Sequence, residues 1–198
     1  MPIKSTDGSV TGKQVIVGEI SDGVFRDVRI DTSTRAQTGI TYEHHEIHAG
    51  SSYHCSDVQN VSTTTLQWMI TTPDTDKEPH MIINAHCTGE LLVVVTEGAD
   101  KTGANALAEI NHNRRSTNTA GVAVHREVSG GSTDGAITLF SKRTGSTGVG
   151  SKTISSSEAG HNEEWILGKN KKYIITVTTY ANVYVSLDLD WYEHTAKS

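Results

Sequence analysis

Residues 183–192 alternate without a break. Val183, Val185, Leu187, Leu189 and Trp191 fall on one side of an extended chain, and Tyr184, Ser186, Asp188, Asp190 and Tyr192 fall on the other. Successive side chains of a β-strand point to opposite faces, so a period of two describes a strand with one face in a core and one in water. A helix would spread the same apolar residues around its circumference.

The rest of the sequence repeats this pattern in shorter pieces. Tyr173–Tyr180 is rich in β-branched and aromatic residues. With Ala181-Asn182 as a turn, it is expected to form a hairpin with the strand that follows. Leu91–Val95 is a continuous apolar run, expected to be a strand buried on both faces or one in a sandwich core. Leu66, Trp68 and Ile70 alternate in another strand, closed by Pro73-Asp74. Ile82–Ala85 opens the next, and Val122, Val124 and Ile137–Phe140 mark later ones. Val15–Val17 and Val24–Ile30 flank the turn signal Ser21-Asp22-Gly23.

The helical candidate is Ala104–Ile110, short enough to read as a loop or a single turn. Ser129–Gly135 reads as a compact glycine-rich turn. Gly145–Gly160 is a long Ser/Gly/Thr tract, of the kind that is functional, mobile or ordered by a partner. Many short strands joined by Gly/Ser turns predict an all-β chain, an antiparallel β-sandwich of jelly-roll-like form. The polar segment 1–23 is expected to be an N-terminal arm and 24–198 a single sandwich domain.

A chain of 198 residues buries about 70% of the surface its unfolded form exposes, so it needs no metal or disulfide to hold a core. Its net charge of −6 argues against wrapping nucleic acid. The basic cluster Asn113-Arg114-Arg115 reads as a solvated turn. Cys55 and Cys87 lie far apart and form no CxxC spacing, so two free thiols are expected. Met1–Thr6 has no apolar run of the secretory kind, and Leu91–Val95 is far too short to span a bilayer. Assembly inside a cell, with no membrane partner, is the expectation.

The stretch Tyr42–His54 demands a decision. Within Glu43–His48 stand three histidines and two glutamates, residue types that suit zinc, iron or manganese. Read as a strand, Tyr42, His44, Glu46 and His48 share one face, with same-face neighbours about 6.6–6.8 Å apart. His44, Glu46 and His48 then supply at most part of a ligand set, and His54, His80 or His86 would have to complete it. The cupin pattern of His-x-His followed by Glu is absent, as is the His-Glu-x-x-His of helical zinc proteases. The preferred reading has no metal and no cofactor, with the histidines packing on Tyr42 and bonding to neighbouring strands or subunits. His44, Glu46, His48 and His86 remain the candidate metal ligands. No Gly-x-Ser-x-Gly elbow and no phosphate loop occurs. Asp188 and Asp190 share a strand face and read as a solvated pair or as partners of Arg and Lys on a neighbour.

Tyr42-Glu-His-His-Glu-Ile-His-Ala-Gly-Ser-Ser-Tyr53 resembles a segment of tailed-bacteriophage virion proteins. Further pieces follow in order: Leu91–Gly98, Ile110-Asn-His-Asn-Arg-Arg-Ser116, Glu164–Leu167 with Lys172-Tyr173, and Leu187–Thr195. Together they cover roughly residues 24–195. The resemblance implies a particle component of the capsid cement or decoration type: a jelly-roll-like sandwich, a homotrimer, seated on the major capsid protein shell and without catalysis. Tyr42, His44, His48, Arg114 and Arg115 are the expected subunit or capsid contacts. Two alternatives stand beside it. One is a tail- or fibre-associated module that binds glycan or another tail protein. The other is a cupin-like metal enzyme using His44, Glu46 and His48 with His86.

Overall fold

The computed structural model describes residues 17–21, 24–27, 42–145 and 164–195. The chain divides into two compact units, residues 1–41 and 42–198. In the first, β1 (Val17–Ser21) and β2 (Val24–Asp27) pair antiparallel on either side of the expected turn signal Ser21-Asp22-Gly23, of which residues 22 and 23 lie outside the described residues. The boundary expected at 23/24 falls inside this hairpin. Residues 1–16 of the expected arm lie outside the described residues, as does the 145–160 tract beyond Gly145.

The second unit opens with α1 (Tyr42–Ala49) and continues as strands. One five-stranded sheet has the order β12 (Trp165–Ile166), β5 (Lys77–Cys87), β14 (Asn182–Thr195), β3 (Ser52–Ser62), β8 (Ile110–Asn111). The other has the order β11 (Ile137–Thr144), β6 (Leu91–Glu97), β13 (Lys172–Thr179), β4 (Thr65–Thr71), β9 (Ala123–Arg126). Every pairing is antiparallel. Set aside the short outer strands β8 and β9, and the orders become 12-5-14-3 and 11-6-13-4. Consecutive strands change sheets except at β6 and β11, which are paired neighbours in one sheet, and the first and last strands, β3 and β14, lie side by side. That is the jelly roll, two Greek keys folded face to face.

Side chains from both inner faces fill the space between the sheets. Tyr53, Trp68, Ile70, Met81, Ile83, Val93, Tyr173, Ile175, Leu187, Leu189 and Trp191 belong to one continuous core. Strand β14 keeps the alternation of its sequence: Val183 to Trp191 on the odd positions are buried and the even positions are not. Strand β6 alternates too, so Leu91, Val93 and Val95 enter the core while Leu92 and Val94 are half-buried.

The hairpin expected of β13 and β14 does not form, because the two strands belong to opposite sheets. Both edges of β14 are taken, by β3 and β5. The link at 180–181 is therefore a corner. It docks against the corner between β3 and β4: Thr63 N–H donates to Ala181 O at 3.2 Å, and Thr179 N–H to Thr64 O at 2.8 Å. Local turn residues cannot tell a corner from a hairpin, since both need a short polar link between apolar strands.

The two outer sheet faces differ. A ribbon of β7 (Asp100–Gly103) paired with β10 (Val128–Ser132) accompanies a second apolar cluster, in which Met69, Ala99 and Ile174 are buried with Val128 and Ala136 packed on them. Met69 and Ile174 point away from the core, so this cluster seals part of the outer face of the β4–β13 sheet. The outer face of the β3–β14 sheet is lined by polar and aromatic side chains.

Candidate functional site

Residues 42–49 form a helix, contrary to the strand expected there. The stop signal is Gly50, at φ +73°. Gly50 N–H donates to Ile47 O at 3.1 Å and Ser51 N–H to Glu46 O at 2.9 Å, which closes the helix in a Schellman motif. The remaining carbonyls are met by the 111–118 loop. Asn113 Nδ2 donates to His48 O, Asn111 Nδ2 to Gly50 O at 2.9 Å, and Asn118 Nδ2 to Ala49 O and Gly50 O. Asn111 and Asn113 of the Ile110–Ser116 run, with Asn118 just beyond it, thus clamp the helix end.

Helical spacing rearranges the expected ligands. His44 and His48 are one turn apart, their Nε2 atoms 3.0 Å from each other and their rings edge to face. Glu46 turns inward and is buried, with His45 Nδ1 at 3.2 Å. His86 sits on β5 opposite Ser186, with Asp188 at 3.9 Å. Of the four expected metal ligands, His44 and His48 thus meet on the helix surface, while Glu46 is buried and His86 lies on β5. Tyr42 begins the helix, and Arg114 and Arg115 stand in an exposed turn.

The chemistry-bearing side chains gather instead on the outer face of the β12-β5-β14-β3-β8 sheet. Asp188, Asp190, Tyr192 and His194 project there from β14, opposite the buried odd positions. Register places His54 beside Asp190, His80 beside Tyr192 and Asn84 beside Asp188. Among the described residues, His54, His80, His86, His112 and His194 lie on this face. Among the described residues, the partners of Asp188 and Asp190 are histidines of the same sheet.

Two groups form along it. In the first, His54 Nδ1 lies 2.9 Å from Asp190 Oδ1 and His112 Nε2 lies 3.5 Å from the same oxygen. His112 is brought there by β8, whose Asn111 pairs with Tyr53, and by its own N–H donating to Ser52 O at 2.9 Å. In the second, His80 Nε2 meets His194 Nε2 at 2.8 Å, and Tyr192 stacks on His80. On the other side of the His80 ring, Nδ1 contacts Glu164, to which Tyr192 Oη donates at 2.8 Å. Burial pulls the Glu164 carboxyl upward, but the hydrogen bonds from His80 and Tyr192 and the charges of His80 and His194 outweigh it and leave it below its ordinary value.

Both cysteines are buried and neither is in a disulfide. Burial, with the charges of Glu109 and Asp57, pushes the Cys55 thiol up to about 12. Burial also raises Cys87, against a lowering hydrogen bond from Gly89 N–H. Neither is a nucleophile at neutral pH.

Sequence reasoning placed Asp190 and Tyr192 on one outward face and named His54 and His80, but it missed His112 beside Asp190 and His194 and Glu164 beside His80. No spacing rule joins these residues, because strand register across three segments does. Two half-open grooves lie elsewhere, one of about 230 Å³ beside Asp57, Trp68 and Arg126, the other of about 490 Å³ beside Asp76, Glu78 and Ile166. Among the described residues no helix is long and apolar enough to cross a membrane. Comparison with family models, curated proteins and solved structures finds no match.

Proposed function

We propose that this chain is a structural protein of a tailed-bacteriophage particle, a cement or decoration protein that binds the outer surface of the major capsid protein shell. It acts as a homotrimer, it is assembled in the host cytoplasm, and the reading assigns it no reaction. The observation that carries the reading is a jelly roll whose interior is filled by its own side chains. Such a domain meets partners at its surface, as the jelly rolls of viral shells do. The ordered sequence resemblance supplies the kind of partner.

A cement protein stabilises a shell by burying area across junctions of capsid subunits. A contact of about 1,600 Å², repeated at each site, is enough to hold it without any single strong group. The surface offers apolar side chains for this: Val58 is 63% and Tyr184 57% exposed, both on the histidine-lined face.

The test is co-sedimentation of purified chain with capsids that lack it. Saturable binding is expected, and a chain lacking residues 1–13 should stay a folded oligomer yet lose binding. Absence of binding by the full chain would contradict the assignment to the shell. Full occupancy by the shortened chain would contradict the role given to the arm.

A further inference from the structure

We propose that His54, His112 and Asp190 form a binding site for a divalent first-row transition ion of the zinc type. Three separate segments supply one ligand atom each, and all three atoms lie within 4.8 Å of one another. Around tetrahedral zinc, bonds of about 2.0–2.2 Å place neighbouring ligand atoms about 3.4 Å apart. The contacts of 2.9 Å and 3.5 Å to Asp190 Oδ1 bracket that separation.

The orientation of His112 is the second observation. Its Nδ1 lies 2.8 Å from Ser52 Oγ, and Ser52 is 5% exposed. When Nδ1–H donates to this hydroxyl, the Nε2 lone pair faces Asp190. Metal-bound histidines have their far nitrogen held in this way. Both imidazole nitrogens crowd one carboxylate oxygen, an arrangement in which an ion can replace a shared proton. Two neutral imidazoles and one carboxylate suit zinc, nickel or copper better than calcium or magnesium.

Other histidine groups fit less well. His44 and His48 give two donors from one helix turn. At His80 the acid Glu164 sits on Nδ1 while His194 sits on Nε2, so the three do not converge on one point. At the proposed site the ligand side chains are 32–44% exposed, on an outer sheet face. The remaining coordination position is therefore open to water or to a donor from another chain. This inference does not depend on the shell assignment.

The experiment is calorimetric titration of the chelator-treated full chain with zinc chloride, with cobalt absorption spectra as an independent readout. One equivalent should bind in the micromolar range or tighter, and cobalt should give the intense bands of a four-coordinate site. His112→Ala and Asp190→Asn should each weaken binding by at least ~10-fold, and Ser52→Ala by ~10-fold. The double variant His44→Ala/His48→Ala should bind as the parent does. Melting curves without metal establish that each variant is folded. His54→Gln serves if Asp190→Asn is not. Failure of the parent to bind, or undiminished binding by His112→Ala, would overturn the proposal.

Discussion

The indole N–H of Trp191 donates at 3.0 Å to the carboxylate of Glu193, two residues further along the same face of β14. Gly121 and Val122 N–H donate to that carboxylate at 2.9 and 3.0 Å. Glu193 is 3% exposed, so a buried acid ties the long connection between β6 and β11 to the last strand. Its charge also helps burial raise the Tyr53 hydroxyl above its ordinary value. Glu193→Ala leaves buried donors without an acceptor and should cost on the order of 3 kcal/mol in denaturant unfolding. A midpoint unchanged by that substitution would mean that water replaces the carboxylate.

Trp191 itself is 2% exposed in the core. Trp191→Ala should cost about 3–5 kcal/mol, read as a fall in melting temperature. An unchanged melt would place β14 outside the cooperative unit.

Gly50 is held at φ +73°, and a Cβ there would stand 2.3 Å from Ser116 Oγ. Gly50→Ala should cost on the order of 2 kcal/mol through left-handed strain alone, with more if Ser116 cannot shift. The helix Tyr42–Ala49 should be the element that loosens, visible as faster amide exchange at 46–51.

Both thiols are buried and raised in pKa. A thiol reagent should find no reactive cysteine in the native chain at neutral pH and two after denaturation. Fast labelling of Cys55 before unfolding would show that β3 opens locally.

Glu164 has a folded-state pKa below its ordinary value, so its contribution is present above the ordinary carboxylate pKa and is lost as pH falls through the lowered one. The side chain is 41% exposed, so solvent screens the effect and keeps it small. Glu164→Gln should lower the neutral plateau slightly and leave stability below the lowered pKa unchanged, which flattens the acid limb of the stability profile. An acid limb identical to the parent's would assign acid loss to other carboxylates.

The sequence made the sandwich legible because β14 alternates over its full buried length, and one register error would turn Leu187, Leu189 and Trp191 into water. The helix at 42–49 was illegible for the opposite reason. Glu43, His44, His45 and His48 are exposed and Glu46 is buried, so apolar periodicity is missing. The Ala49-Gly50 stop was the available sign, and it is weak without a start signal. Asp190 could be placed on an outward face from its neighbours Leu189 and Trp191. Its partners could not, since His54 and His112 reach it through strand pairing that a single sequence does not encode locally.

The most direct measurement of the proposed shell role is to separate purified particles of the phage that the proposal implies into heads and tails and to weigh this chain in each by quantitative mass spectrometry. The account predicts that it co-purifies with heads, in a fixed ratio to the major capsid protein, and is stripped from them without opening a covalent bond. Recovery with tails alone, or absence from particles altogether, would contradict it.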